Sequence, residues 1–129
     1  MSRAVDTNVV VRFLTGDDAR QSMVATDVLR AGFTLTHTVT METAWVLRSV
    51  YGWPRERIAA ALAELIDLPS ADVVPDGIRW ALDRFAAGAA LADMVHVTMA
   101  TGASAFATFD TRVAEHAGPN APVRIETLA

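Results

Sequence analysis

Apolar and polar positions follow two rhythms along the chain. Short apolar runs stand at residues 3–6, "FTLT" at 33–36, "DVV" at 72–74, "AFATF" at 105–109 and "PVRIETL" at 122–128, and each reads as a strand. Between them the apolar residues recur at helical spacing. That spacing predicts helices over 7–16, 17–32, 39–52, 54–68, 75–88, 91–102 and 110–118, most of them closed by a glycine such as Gly16, Gly32, Gly52 or Gly118. "TNVVVRFLTG" is rich in β-branched residues that suit a strand, but Asp6 or Thr7 is a good N-cap and Gly16 a good stop, so it reads as helix. Pro54 fits the first turn of its helix.

Strands alternating with helices and helix pairs indicate an α/β domain around a mostly parallel sheet. At 129 residues the chain falls in the size range of one domain, about 100–150 residues, and we read residues 1–129 as a single domain without repeats or linkers. In such folds ligands bind beyond the carboxyl ends of the strands, where strand order reverses. The residues just after the strands are therefore the ones to inspect.

The first of these poses a problem. "SRAVDTNVVV" is an apolar run interrupted by a carboxylate, Asp6, then Thr7 and Asn8. A charge near a core is costly unless it is paired or bound to a metal. Either Asp6 caps the following helix, or it belongs to a site. Asp110 repeats the pattern in "ATFDTR": apolar strand, aspartate, threonine, helix. If the first and fourth strands were neighbours, both carboxylates would open onto one crevice. Glu42, in "TVTMETAWVL", and Asp93, in "ALADMVHV", also lie in apolar surroundings early in helices, and Val39 and Ala90 stand where a capping box would need Ser or Thr. Four carboxylates in one place would repel one another without a counter-charge.

Composition narrows what that counter-charge can be. There is no cysteine, which excludes disulfides, thiolate nucleophiles and cysteine-ligated zinc. All-oxygen ligation suits magnesium or manganese, and such a site can activate water and offset charge on a phosphoryl group. His37 and His116 have no spacing that makes a zinc site with the carboxylates, whereas His96 shares a helix face with Asp93. The eleven basic residues are all arginine and the net charge is −4, an unusual balance for a nucleic-acid binder, although individual arginines can still meet phosphate. The apolar runs are too short or too interrupted to span a membrane, and the N-terminal residues lack the layout of a secretory signal, so a cytoplasmic protein is expected.

The strings "AVDTNVVVRFLTGDD", "ETAWVLRSVYG", "ADMVHVTMATG" and "FATFDTRVAEHAG", in this order, resemble the PIN domain family, in particular the small VapC-type toxins of type II toxin–antitoxin systems. The resemblance implies a five-stranded parallel sheet flanked by helices and Mg2+- or Mn2+-dependent endonucleolytic cleavage of RNA. It assigns Asp6, Glu42, Asp93 and Asp110 as catalytic, metal-holding carboxylates, with Asn8 and Thr108 in support, and so answers the question of Asp6 in favour of a site. It further implies an antitoxin partner whose basic segment lies in the acidic cleft, and a homodimer. The chain departs from many relatives in two places, with Ala90 and Arg112 where they carry acids, which bears on whether one metal ion or two operate. Arg112 and Arg12 are candidate contacts to RNA phosphate. Trp45, Trp80, Met94 and Met99 read as core or subunit contacts. A phosphoacceptor receiver domain and a phosphatase with a strand-end aspartate nucleophile both need a lysine, which the chain lacks. The remaining alternative is a catalytically silent PIN-like binding module.

Overall fold

The computed structural model describes residues 2–129, and the chain divides into two compact units, Met1–Pro75 and Asp76–Ala129. The first runs β1 (Arg3–Ala4), α1 (Thr7–Thr15), α2 (Ala19–Arg30), β2 (Phe33–Thr34), α3 (His37–Ser49), α4 (Arg55–Ile66) and β3 (Ala71–Val73). The second runs α5 (Ile78–Ala86), α6 (Leu91–Met99), β4 (Phe106–Thr108), α7 (Arg112–Ala117) and β5 (Ile125–Thr127).

All the strand pairs are parallel, as the alternation of strand and helix predicts, but they do not form the expected five-stranded central sheet. Among the described residues β1, β2 and β3 make one three-stranded sheet in that order, and β4 and β5 make a separate two-stranded one. The physical reason is length. Strands of two or three residues carry few ladder bonds, and the β2–β3 register slips between Phe33 and Thr34. The apolar helix faces then hold each unit together, rather than an extended ladder.

In the first unit the core is built from Val10 and Val11 of α1, Leu29 of α2, Phe33, Leu35, Leu47 of α3, and Ile58, Leu62 and Leu65 of α4, all buried. Burial of side chains of this kind contributes roughly 1.5–3 kcal/mol each. In the second unit Ile78, Leu82 and Phe85 of α5 and Leu91, Met94, Val95 and Val97 of α6 are buried, with Val113 and Ala117 of α7.

Helix starts follow local chemistry. α3 begins at His37, two residues before the predicted start, because Thr36 caps it and accepts from Val39 N at 3.4 Å. α5 begins at Ile78 instead of Pro75. The preceding Gly77 has φ 72°, a left-handed conformation that ends any continuous helical run through Asp76. A Cβ at Gly77 would also meet Thr98 Cβ and Cγ2 at 2.8 Å, so packing against α6 demands glycine there as well.

Gly77→Ala is therefore expected to destabilise the protein more than Gly52→Ala, whose left-handed backbone faces open space. Denaturant unfolding should show about 1–2 kcal/mol lost at Gly52 from backbone strain alone. It should show at least about 1 kcal/mol more at Gly77 from overpacking.

Candidate functional site

In the first unit, β1 and β2 run parallel with Arg3 opposite Phe33 and Ala4 opposite Thr34, so their carboxyl ends lie side by side. The chain leaves β1 through buried Val5 into Asp6, and leaves β2 through buried Leu35 into Thr36. The charge of Asp6 does not lie in the core, because the strand is already over and the side chain is exposed. Asp6 caps α1, with Oδ1 accepting from Thr7 N at 2.7 Å. Thr7 is buried, and its hydroxyl donates to Glu42 Oε1. One residue thus joins two of the predicted carboxylates, Asp6 through its amide and Glu42 through its hydroxyl. Glu42 is exposed on α3, and α3 packs against α1.

The second unit holds the other pair. The β4–β5 ladder extends through Leu128 N to Thr108 O at 2.8 Å, which fixes the end of β4. Thr108 Oγ1 then accepts from Asp110 N at 3.0 Å. Asp110 Oδ1 in turn accepts from Arg112 N at 2.9 Å, the link into α7. The Arg112 guanidinium forks onto the same carboxylate, from Nε to Oδ1 at 3.2 Å and from Nη2 to Oδ2 at 3.1 Å. Asp93 lies in the first turn of α6, which packs on α7, and its charge also acts on Arg112. The guanidinium is therefore the counter-charge of Asp110. It meets part of the repulsion that the sequence alone assigned wholly to a metal.

These contacts set the ionisation of Asp110. Hydrogen bonds from the Arg112 side chain, then from its backbone, hold the Asp110 carboxyl below its usual range against a smaller desolvation effect, and Asp110 raises Arg112 in return. Such a shift favours the charged carboxylate.

The other predicted residues are distributed as follows. Asn8 is exposed and lines a groove of about 360 Å³ between α1 and α2 with Arg12, Arg20 and Val24. Arg12 is engaged in a polar network. Its Nε donates to Gln21 at 2.7 Å and its Nη1 to Asp17 at 3.1 Å and to Tyr51 at 3.3 Å. Tyr51 also donates to Asp17, and that bond is the largest influence lowering the Asp17 carboxyl. His96 is exposed in the last turn of α6. Met94 is core, Trp80 is half-buried, and Trp45 and Met99 are exposed.

Sequence reasoning missed two connections. Thr7 appeared only as a cap candidate, although its position directly after Asp6 in a strand-end turn was a usable signal. Arg112 was noted as a replaced acid, and its fit to a carboxylate two residues earlier was not. The donor set is carboxylate oxygen throughout, which suits a hard divalent cation, and Asp6 and Glu42 are both exposed and already linked. Among the described residues no group of three or more His, Asp or Glu side chains is assembled to hold a metal ion.

The family profile of the PIN domain matches residues 3–119, a span that includes Asp6, Glu42, Asp93 and Asp110. No curated protein and no solved structure matches the chain.

Arg112→Gln is expected to return the Asp110 carboxyl toward its ordinary value, read by carboxyl-carbon NMR titration. Because the folded value is the lowered one, its contribution to stability is fully present above the unfolded value of about 3.9 and is lost as pH falls through the folded value. The stability gap between wild type and variant should therefore close on acidification, and a gap independent of pH would contradict the pairing.

Proposed function

The chain belongs to the PIN domain family, generally a nuclease fold, and from that premise we propose that it is a metal-dependent endoribonuclease acting as the toxin of a toxin–antitoxin pair. The observation that carries this reading is the Asp6–Thr7–Glu42 link. Two carboxylates, Asp6 just after β1 and Glu42 on α3, are tied by one buried threonine and left open to solvent. A capping aspartate alone would not need a second acid held beside it.

In this reading Asp6, Glu42, Asp93 and Asp110 hold Mg2+ or Mn2+, and 1–129 works as one domain, since the family match runs through both compact units. Such an ion lowers the pKa of bound water and offsets charge on the phosphoryl group. The chain's own residues supply the geometry. Thr7 keeps Glu42 oriented through the hydrogen bond from its hydroxyl. Thr108 sets the turn from which Asp110 projects, and Asn8 supports Asp6 from two positions on. Arg112 is the residue we assign to RNA phosphate, its guanidinium being largely exposed. Arg12 is the weaker phosphate contact, since Asp17, Gln21 and Tyr51 already engage it.

The net charge of −4 favours a partner with a basic segment through electrostatic attraction, which is the property an antitoxin of this cleft would need. We assign the working form as a homodimer in the cytoplasm. Among the described residues no helix is long and apolar enough to cross a membrane.

The Asp110–Arg112 pair supports one competing reading, a silent PIN-like module that binds RNA without cutting it. There the guanidinium would be a permanent replacement for the cation. Cleavage of a mixed-sequence RNA with and without EDTA separates the two. Activity that EDTA abolishes and Mn2+ restores supports the nuclease. Asp6→Asn and Asp93→Asn should each reduce cleavage to background with unchanged circular dichroism, and full activity in either would refute the assignment. Thr7→Val should lower cleavage about 10–100-fold, the usual effect of losing a group that orients a ligand.

A further inference from the structure

Phe109 is 74% exposed, although it is a phenylalanine between Thr108 and Asp110. Its surroundings hold it there. Leu128 N donates to Thr108 O on one side, the Thr108 hydroxyl accepts from Asp110 N across it, and Asp110 is itself held by Arg112. The ring thus projects from the tip of a turn closed by backbone and side-chain hydrogen bonds. The exposure alternates along this segment. Ala107 and Phe109 are exposed while Phe106, Thr108 and Asp110 are half-buried, so the small Ala107 is the ring's neighbour on the open face.

We infer that Phe109 is a stacking platform for an unpaired RNA base next to the scissile phosphate, and so a residue that positions the substrate. The inference rests on the nuclease reading above. Three observations favour a nucleobase. The ring adjoins a proposed metal-holding carboxylate. It lies three residues from an exposed arginine that can meet the neighbouring phosphate. An aromatic face and an arginine within one short segment are also the two elements of single-strand recognition. Stacking tolerates any base, so the effect on sequence preference should be slight.

The test compares wild type with Phe109→Leu and Phe109→Trp in the full chain, using a fluorescein-labelled single-stranded RNA. Binding is read by anisotropy in EDTA and cleavage in Mn2+. Phe109→Leu is expected to weaken binding about tenfold or more and to raise KM with kcat nearly unchanged. Its melting temperature and the salt dependence of binding should stay at wild-type values, because neither core packing nor a phosphate contact is lost. Phe109→Trp should restore affinity. An RNA made abasic at the stacked position should bind wild type and Phe109→Leu equally.

Equal affinity and KM in wild type and Phe109→Leu on intact RNA would overturn the inference, as would absence of RNA binding in EDTA by wild type. A change in sedimentation mass with RNA affinity intact would also overturn it, and would mark Phe109 as a protein contact instead. Loss of binding in Phe109→Leu while no protein cleaves in Mn2+ would sink the nuclease reading and leave the platform standing.

Discussion

A carboxylate at the end of a short parallel strand needs something to offset its charge, and much of this protein's local structure follows from that requirement. The strands are short: after β1 one more residue, Val5, is buried before the exposed Asp6, and after β4 Asp110 is half-buried. Such an acid can be capped by an amide, approached by a hydroxyl or met by a guanidinium. The chain uses all three at its predicted acidic positions.

The two units meet the requirement differently. In the first, Asp6 takes the amide of Thr7 and Glu42 takes its hydroxyl, so each acid is met by a dipole. In the second, Asp110 takes a full positive charge from Arg112, which Asp93 also influences. A dipole leaves a carboxylate ready to hold a cation, whereas a guanidinium competes with one. In the proposed site the first pair would thus be the more open to metal, and the second the place where metal and arginine would contend.

Arginine in place of lysine matters for the same reason. The guanidinium fork matches both oxygens of a carboxylate, and Arg112 uses two of its nitrogens in that way. A lysine at that position would supply one point charge and leave the carboxylate less fixed. The absence of lysine also removes the cation that receiver domains and strand-end aspartyl phosphatases need.

Much of this was legible in the linear pattern. Apolar periodicity located the helices, Gly16 and Gly118 fell at the caps of α1 and α7, and the repeated strand–aspartate–threonine sequence singled out Asp6 and Asp110. These are local properties, set by a few neighbouring residues, and so they survive reading one residue at a time. Other features depend on which chain segments pair. The sequence indicated five strands but not their division into a three-stranded and a two-stranded sheet, because ladder partners are chosen across long separations and by very few bonds. Nor could it show that Thr7, 35 residues from Glu42, is that residue's hydrogen-bond donor, or that Phe109 is left bare at a turn. What the sequence by itself determined was the chemistry available and the order of the elements that carry it. Only the tertiary structure decided which donor reaches which carboxylate, since that depends on distances in space that spacing along the chain does not encode.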